Sequence, residues 1–308
     1  MNYYQIGGTN TKEDKIMELI KVGEKTYYIK NPTNIGVYKI DDKNVYLIDS
    51  GNDKDAGKKI LKIIEEQGWS VKGIINTHSN ADHIGGNKVI QDRTNCKILA
   101  YNIEKSFTEY PILETSFLYG GYPFKSIRNK FLLAKESVVT PIQNNLPEGL
   151  EYFMLRGHFF DMIGIKTSDD IYFLADSLFS KEIISKYNLF FIYDVKEFFN
   201  TLDYLSTLHG KLYIPSHCEV EKDISELINI NRNKIQEIIN KICSYCNNEH
   251  TFEEILKNIF DEYNLTMNAE QYVLVGSTTR SYLSYLCDEN RLIYEYKDNK
   301  MLWRQLEK

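Results

Sequence analysis

Three residues that bind metal ions well, His78, Asp82 and His83, fall within six positions of one another. They follow the apolar run Ile74-Ile75-Asn76-Thr77 and precede Gly85-Gly86. Imidazole nitrogen and carboxylate oxygen are the donors that zinc and neighbouring cations accept. Where a buried strand stops and a helix starts, backbone amides and side chains face the same crevice. Groups four positions apart, one helical turn, can then converge on one cation without distorting either element. The competing reading is a pair of surface histidines beside an N-capping Asp. The strand before the cluster and the Gly pair after it favour metal.

Three more residues of the same kinds stand at or just after the ends of apolar runs. His158 follows the strand-like Leu150 to Leu155, Asp176 ends Ile171 to Ala175, and His217 follows Leu212 to Ile214 through Pro215-Ser216. His209 and His250 sit at element termini and read as structural.

The segment Thr77-His78-Ser79-Asn80-Ala81-Asp82-His83-Ile84-Gly85-Gly86 resembles the T-H-x-H-x-D-H-x-G-G signature of the metallo-β-lactamase fold superfamily of metallohydrolases. Asn80 stands where the second His of that signature is expected. Leu47-Ile48-Asp49-Ser50-Gly51 is similar to the family's early L-I-D-x-G element, Gly157-His158 to its third-histidine element, Asp176-Ser177-Leu178 to its D-x-L element and Pro215-Ser216-His217 to its final P-x-H. The likeness spans about residues 16–220 and keeps the family order. It implies a four-layer αβ/βα sandwich of the α/β class.

The resemblance also implies a ligand set. One position would be built from His78, Asn80 and His158, the other from Asp82, His83 and His217, with Asp176 shared and Asp49 buttressing the metal loop. An amide oxygen is a weaker zinc ligand than imidazole, so the first position is expected to be weakened. One or two zinc ions are expected, with iron or manganese as alternatives. The implied reaction is hydrolysis, a metal-bound hydroxide attacking an ester, thioester, amide or phosphoester, with Asp82 or Asp176 orienting the water. Alternatives are an iron-dependent oxidoreductase on the same ligands, a nucleic-acid-processing protein, and a catalytically silent metal-binding member.

The remaining elements must position these residues. Ile16 to Ile20 with Thr26 to Ile29, and Asn34 to Ile40 with Val45 to Ile48, read as β-hairpins. From Asp53 the period becomes helical, with Ala56, Ile60, Leu61, Ile63 and Ile64 on one face and Gly68 as the stop. Val71 to Asn76 is the strand into the metal turn, Ile84 to Asp92 a helix, and Lys97 to Ala100 the next strand. The stretch 103–142 mixes aromatic and turn residues without a clean period, as an insertion capping the site would, or an irregular hydrophobic excursion. Asp194 and Glu197 open a helix that precedes the last core strand.

Residues 1–220 are expected to form the catalytic domain and 221–308 a helical, winged-helix-like extension. In the extension Asp223-x-x-Glu226 and Thr251-x-x-Glu254 read as capping boxes, Asn268 to Cys287 as a helix, and Arg291 to Tyr296 with Met301 to Arg304 as a hairpin. Residues 251–308 carry ten acidic against seven basic residues, and the whole chain has a net charge of -6. Both disfavour nucleic acid and anionic membrane and leave packing, or a homodimer formed through the extension, as its use. A small-molecule substrate is expected. The N-terminus lacks the pattern of a signal peptide, and five scattered cysteines with a lone Cys243-x-x-Cys246 fit a reducing, cytoplasmic compartment better than a disulfide framework or a redox site.

Overall fold

The computed structural model describes residues 17–306. The first residues, read above for a leader, Ile16 of the first hairpin, Glu307 and Lys308 lie outside that range. Strands β1 (Glu18–Lys21), β2 (Thr26–Lys30), β3 (Ile35–Lys39) and β4 (Asn44–Ile48) form the expected antiparallel meander. The sheet then continues in parallel through β5 (Ser70–Ile75), β6 (Lys97–Ala100) and β7 (Val139–Pro141). The change of direction follows from the connection: α1 (Lys54–Glu66), capped by the Asp53 side chain, carries the chain back from β4 to β5.

A second sheet runs β11 (Leu212–His217), β10 (Ile171–Phe179), β9 (Ile163–Thr167), β8 (Leu150–Met154). The two sheets face each other through Tyr28, Ile48 and Ile75 on one side and Ile163, Phe173 and Ile214 on the other. The outer face of the first sheet, with Val37, Leu47 and Ile74, lies under Ile60 and Ile64 of α1. That of the second, with Leu174 and Leu178, packs with Phe198 and Leu202 of α7 (Val195–Leu205). Helix, sheet, sheet, helix is the four-layer sandwich expected. Because both faces of each sheet are covered, the central strands read as unbroken apolar runs rather than alternating ones.

The helix expected over Ile84 to Asp92 is corrected: it is two, α2 (Ala81–Ile84) and α3 (Asn87–Thr94), parted at Gly85-Gly86. The break lets the chain pass against the loop after β4, where a Cβ on Gly86 would stand 2.2 Å from the Ser50 carbonyl oxygen. The stretch 103–142 resolves into α4 (Asn102–Glu109), α5 (Ile112–Tyr119), a 3-10 turn at Lys125–Ile127 and the edge strand β7. It is therefore part helical cap and part sheet, and Leu118, Ile127 and Leu132 pack on Val273 of α10 (Ala269–Asp288).

After β10 come α6 (Lys181–Tyr187) and α7, whose N-cap Asp194 accepts the Glu197 N–H. The C-terminal helices are α8 (Ser225–Tyr245), α9 (Phe252–Glu262) and α10. Thr251 and Glu254 form the capping box of α9. The one expected at Asp223 is corrected: α8 starts a residue late, at N-cap Ile224, and Asp223 instead accepts the N–H and hydroxyl of Ser225. The hairpin of β13 (Leu292–Lys297) and β14 (Lys300–Gln305) forms as expected and gains a third strand, β12 (His250–Thr251). Leu178, Ile238, Leu256, Leu283 and Trp303 share one apolar cluster, so the extension packs into the outer layer of the sandwich. All five cysteines are free thiols. No helix of the described residues is long and apolar enough to cross a membrane.

Candidate metal centre

The centre is assembled at one rim of the sandwich, past the ends of β4 and β5, at the end of β11 and beside the register shift in β10. Asp49, past the end of β4, adopts a left-handed backbone with φ 65. There its carboxylate accepts the Thr77 N–H and hydroxyl, each at 2.8 Å, and the Nδ1 proton of His83 at 2.8 Å. The buttress expected of Asp49 is thus present. Ser50 binds the His83 carbonyl through its N–H at 2.8 Å and its hydroxyl at 3.0 Å, which fixes α2 and the two ligands it carries.

The other three arrive from the second sheet. His158 follows Gly157, whose φ of 117 and approach to α7 exclude any side chain: a Cβ would lie 2.3 Å from the Phe198 nitrogen. Asp176, expected to end its strand, is corrected: it lies inside β10, after Ala175, a non-glycine residue at φ 48, where β10 and β11 shift register. This strain, about 1–2 kcal/mol, is the kind found where a fold must aim a side chain. His217 ends β11, and the Asn34 amide pins the chain on either side of it by donating to the Pro215 and Cys218 carbonyls at 3.0 and 2.8 Å.

All seven candidates, His78, Asn80, Asp82, His83, His158, Asp176 and His217, are buried and come together. His83 Nε2 lies 3.1 Å from Asp176 Oδ1 and 3.8 Å from Asp82 Oδ2. His217 Nε2 lies 3.1 Å from Asp176 Oδ2 and 3.5 Å from Asp82 Oδ2, and His158 Nε2 lies 3.6 Å from Asp176 Oδ2. The ligand atoms of His78, His83 and Asp176, and those of Asp82, His83 and His217, fall within 4.8 Å of one another.

The outer nitrogen of every ring is held. His158 Nδ1 donates to the Phe191 carbonyl and His217 Nδ1 to the Pro32 carbonyl, both at 2.9 Å. Carbonyls only accept, so those protons are on Nδ1. The Thr77 hydroxyl gives its proton to Asp49 and therefore accepts from His78 Nδ1 at 3.1 Å. In the neutral tautomer each ring then turns an Nε2 lone pair inward, the orientation that outer partners impose on metal-binding histidines. Buried His78 Nε2 makes no hydrogen bond among the described residues, and His83 Nε2 and Asp176 Oδ1, though 3.1 Å apart, are not aligned for one. Buried polar atoms are rarely left this way, and these donors fit a divalent cation of the zinc class.

The electrostatics divide the site. Burial pushes His78 and His158 below the ordinary imidazole value. Burial also opposes charge on His83 and His217, but Asp176 and Asp82 outweigh it, raising His83 well above the usual range and His217 to about 10. Burial resists ionisation of Asp176 too, yet His217 and His83 hold it well below the usual carboxylate range. Two buried carboxylates thus call for positive charge that protons or a cation can supply.

Asn80 behaves differently from a histidine. Its Nδ2 donates to Glu114 Oε1 of α5 at 2.7 Å, and its Oδ1 lies 3.1 Å from His158 Nε2. Sequence reading missed Glu114 and also Glu104 of α4, which accepts the Ser79 N–H and hydroxyl and the Asp161 N–H. Both are fully buried carboxylates. Their signal was present: Glu114 is the only charged residue in the otherwise apolar or uncharged run from Tyr110 to Phe124. A void of about 10 Å³, room for roughly one water, is lined by Asn80, Asp82, Glu114, His158 and Asp176 with apolar Leu118, Phe191 and Leu274.

Residues 29–217 match the family model described as the metallo-beta-lactamase superfamily. The chain belongs to the metallo-beta-lactamase superfamily. Its members are mostly metallohydrolases. Among solved structures, a metallo-beta-lactamase family protein from Thermus thermophilus superposes with a TM-score of 0.69 at 16% identity, covering 94% of this chain and 98% of that one. A beta-lactamase domain protein from Burkholderia ambifaria gives 0.71 at 13% identity, with 96% of each chain covered. These establish the superfamily fold, through the C-terminal helices as well. A hydroxyacylglutathione hydrolase from Erythrobacter litoralis is 44% identical over 48 residues, 16% of this chain and 19% of that protein. One from Rhodospirillum rubrum is 37% identical over 49 residues, again 16% and 19%. The chain thus spans about a fifth of the length of these curated relatives.

Proposed function

We propose that this superfamily member is a metal-dependent hydrolase that cleaves a small ester or thioester, with amides and phosphoesters as further substrates to test. The observation that carries the reading is the convergence of four inward Nε2 atoms on Asp82 and Asp176. His78, Asn80, His158 and Asp176 would hold one ion, and Asp82, His83, His217 and Asp176 the other, zinc first and iron or manganese next. Bound there, a divalent cation supplies Lewis acidity, lowering the pKa of a coordinated water and polarising the oxygen of the scissile group. Asp82 or Asp176 would orient the attacking water. Leu118, Phe191 and Leu274 supply the apolar side of the void beside these residues.

The short matches to hydroxyacylglutathione hydrolases support placing thioesters first. We read 1–220 as the catalytic unit and 221–308 as a winged-helix-like extension that helps close the site, since Leu274 of α10 lines the void. The amide oxygen of Asn80 favours one second reading, an iron-dependent oxidoreductase on the same ligands. Iron in the purified protein together with oxygen uptake would select it. The hydrolase reading is tested by screening thioesters, esters, amides and phosphoesters after loading with zinc, manganese or iron. Turnover should exceed that of His217→Ala by at least about a hundredfold. No turnover above that variant with any ion would end it.

A further inference from the structure

Asn80 Oδ1 and His158 Nε2 pose a problem of lone pairs. The Phe191 carbonyl takes the Nδ1 proton of His158, so in the neutral ring Nε2 is an acceptor. The Asn80 atom facing it at 3.1 Å is also an acceptor, because the amide nitrogen is committed at 2.7 Å to the Glu114 carboxylate. Two lone pairs meeting head-on repel unless a proton or a cation lies between them. With metal–ligand bonds of about 2.0–2.2 Å, neighbouring donors around one ion stand roughly 3.0–3.5 Å apart, which is the separation seen.

Glu114 therefore decides which end of the amide faces the cavity. Turned over, Asn80 would present N–H protons to the site and could not bind a cation. Glu114 reaches it from α5, in the stretch that departs from the simple strand–helix pattern of the sandwich.

We propose that Glu114 is a positioning residue that locks the Asn80 carbonyl oxygen toward His158, making Asn80 an oxygen donor of the first metal position in place of an imidazole. The inference rests on the metal-site reading above. A carbonyl in place of an imidazole narrows the preference of that position for zinc and suits it to manganese or iron, while the second position keeps its ligands unchanged.

The test is titration of chelator-treated full-length protein with zinc, and with cobalt to read its visible bands. Wild type takes up one tight and one weaker equivalent. Glu114→Ala weakens the weaker equivalent by about ten- to hundredfold and alters only its cobalt bands. Glu114→Gln, whose amide oxygen still accepts from Asn80, stays within about threefold of wild type. His217→Ala removes the tight equivalent and leaves the weaker one sensitive to Glu114→Ala. If Glu114→Ala changes neither equivalent, or lowers both together, or if Glu114→Gln does no better than Glu114→Ala, Glu114 does not position Asn80. If wild type binds no zinc that His217→Ala loses, the metal-site reading itself fails and takes this inference with it.

Discussion

The two halves of the centre are braced in different ways. Asp82, His83 and His217 lean on the sandwich: Asp49 at the end of β4 grips His83, and the Pro32 carbonyl grips His217. His158 and Asn80 lean on what surrounds the sandwich, His158 on Phe191 in the loop before α7 and Asn80 on Glu114 of the cap helix α5. The charges divide the same way, since Asp82 and Asp176 crowd His83 and His217 while burial dominates at His78 and His158. An anionic half braced by the sandwich thus adjoins a half braced by peripheral elements.

Removing what the halves share should have the largest effect. Asp176→Ala should abolish both metal equivalents in the zinc titration; retention of one at wild-type affinity would show that the carboxylate serves a single half. Next comes pH. A cation entering the second position must displace protons from His83 and His217, whose pKa values are raised, so its affinity should fall as pH falls from 8 to 6. The expected slope is about tenfold per pH unit for each proton released. At the first position burial lowers the pKa of His78 and His158, leaving little to displace, so its affinity should stay nearly level. Equal slopes would dissolve the contrast.

Asp49→Asn sharpens the comparison further. It should weaken the second equivalent by roughly ten- to hundredfold and the first by less, because His78 reaches Asp49 only through Thr77. The smallest effect concerns Glu104, which burial raises from its ordinary value to about 7. The folded chain holds this proton more tightly than the unfolded one, so the stability it contributes is complete below about pH 4 and is lost as pH rises through about 7. Glu104→Gln should remove that slope, and its melting temperature should move relative to wild type by a few degrees between pH 5 and 8.

Much of this was legible because the ligands are tied to strand ends. A strand's apolar run announces its burial, so His158 after β8 and His217 at the end of β11 stand where such runs stop; Asp176 lies inside β10 and was legible only through the resemblance. The broken helix at Gly85-Gly86 was not, since nothing local reveals that the loop after β4 passes within contact distance. The cap was hidden for a related reason: α4 and α5 are short, and the face of α5 is set by contacts to α10 about 150 residues away, while α4 packs on β6 and β7.

The chain by itself determined most strands of the sandwich and the longer helices, the identity of the donors and the substitution of Asn80 for an imidazole, because hydrophobic period and side-chain chemistry are local properties. Only the tertiary structure decided which way the Asn80 amide faces and which carboxylates hold the ligand turn. Those choices depend on hydrogen bonds between Asn80 and Glu114 and between Ser79 and Glu104, 34 and 25 positions apart, which exist only once α4 and α5 have closed over the sandwich.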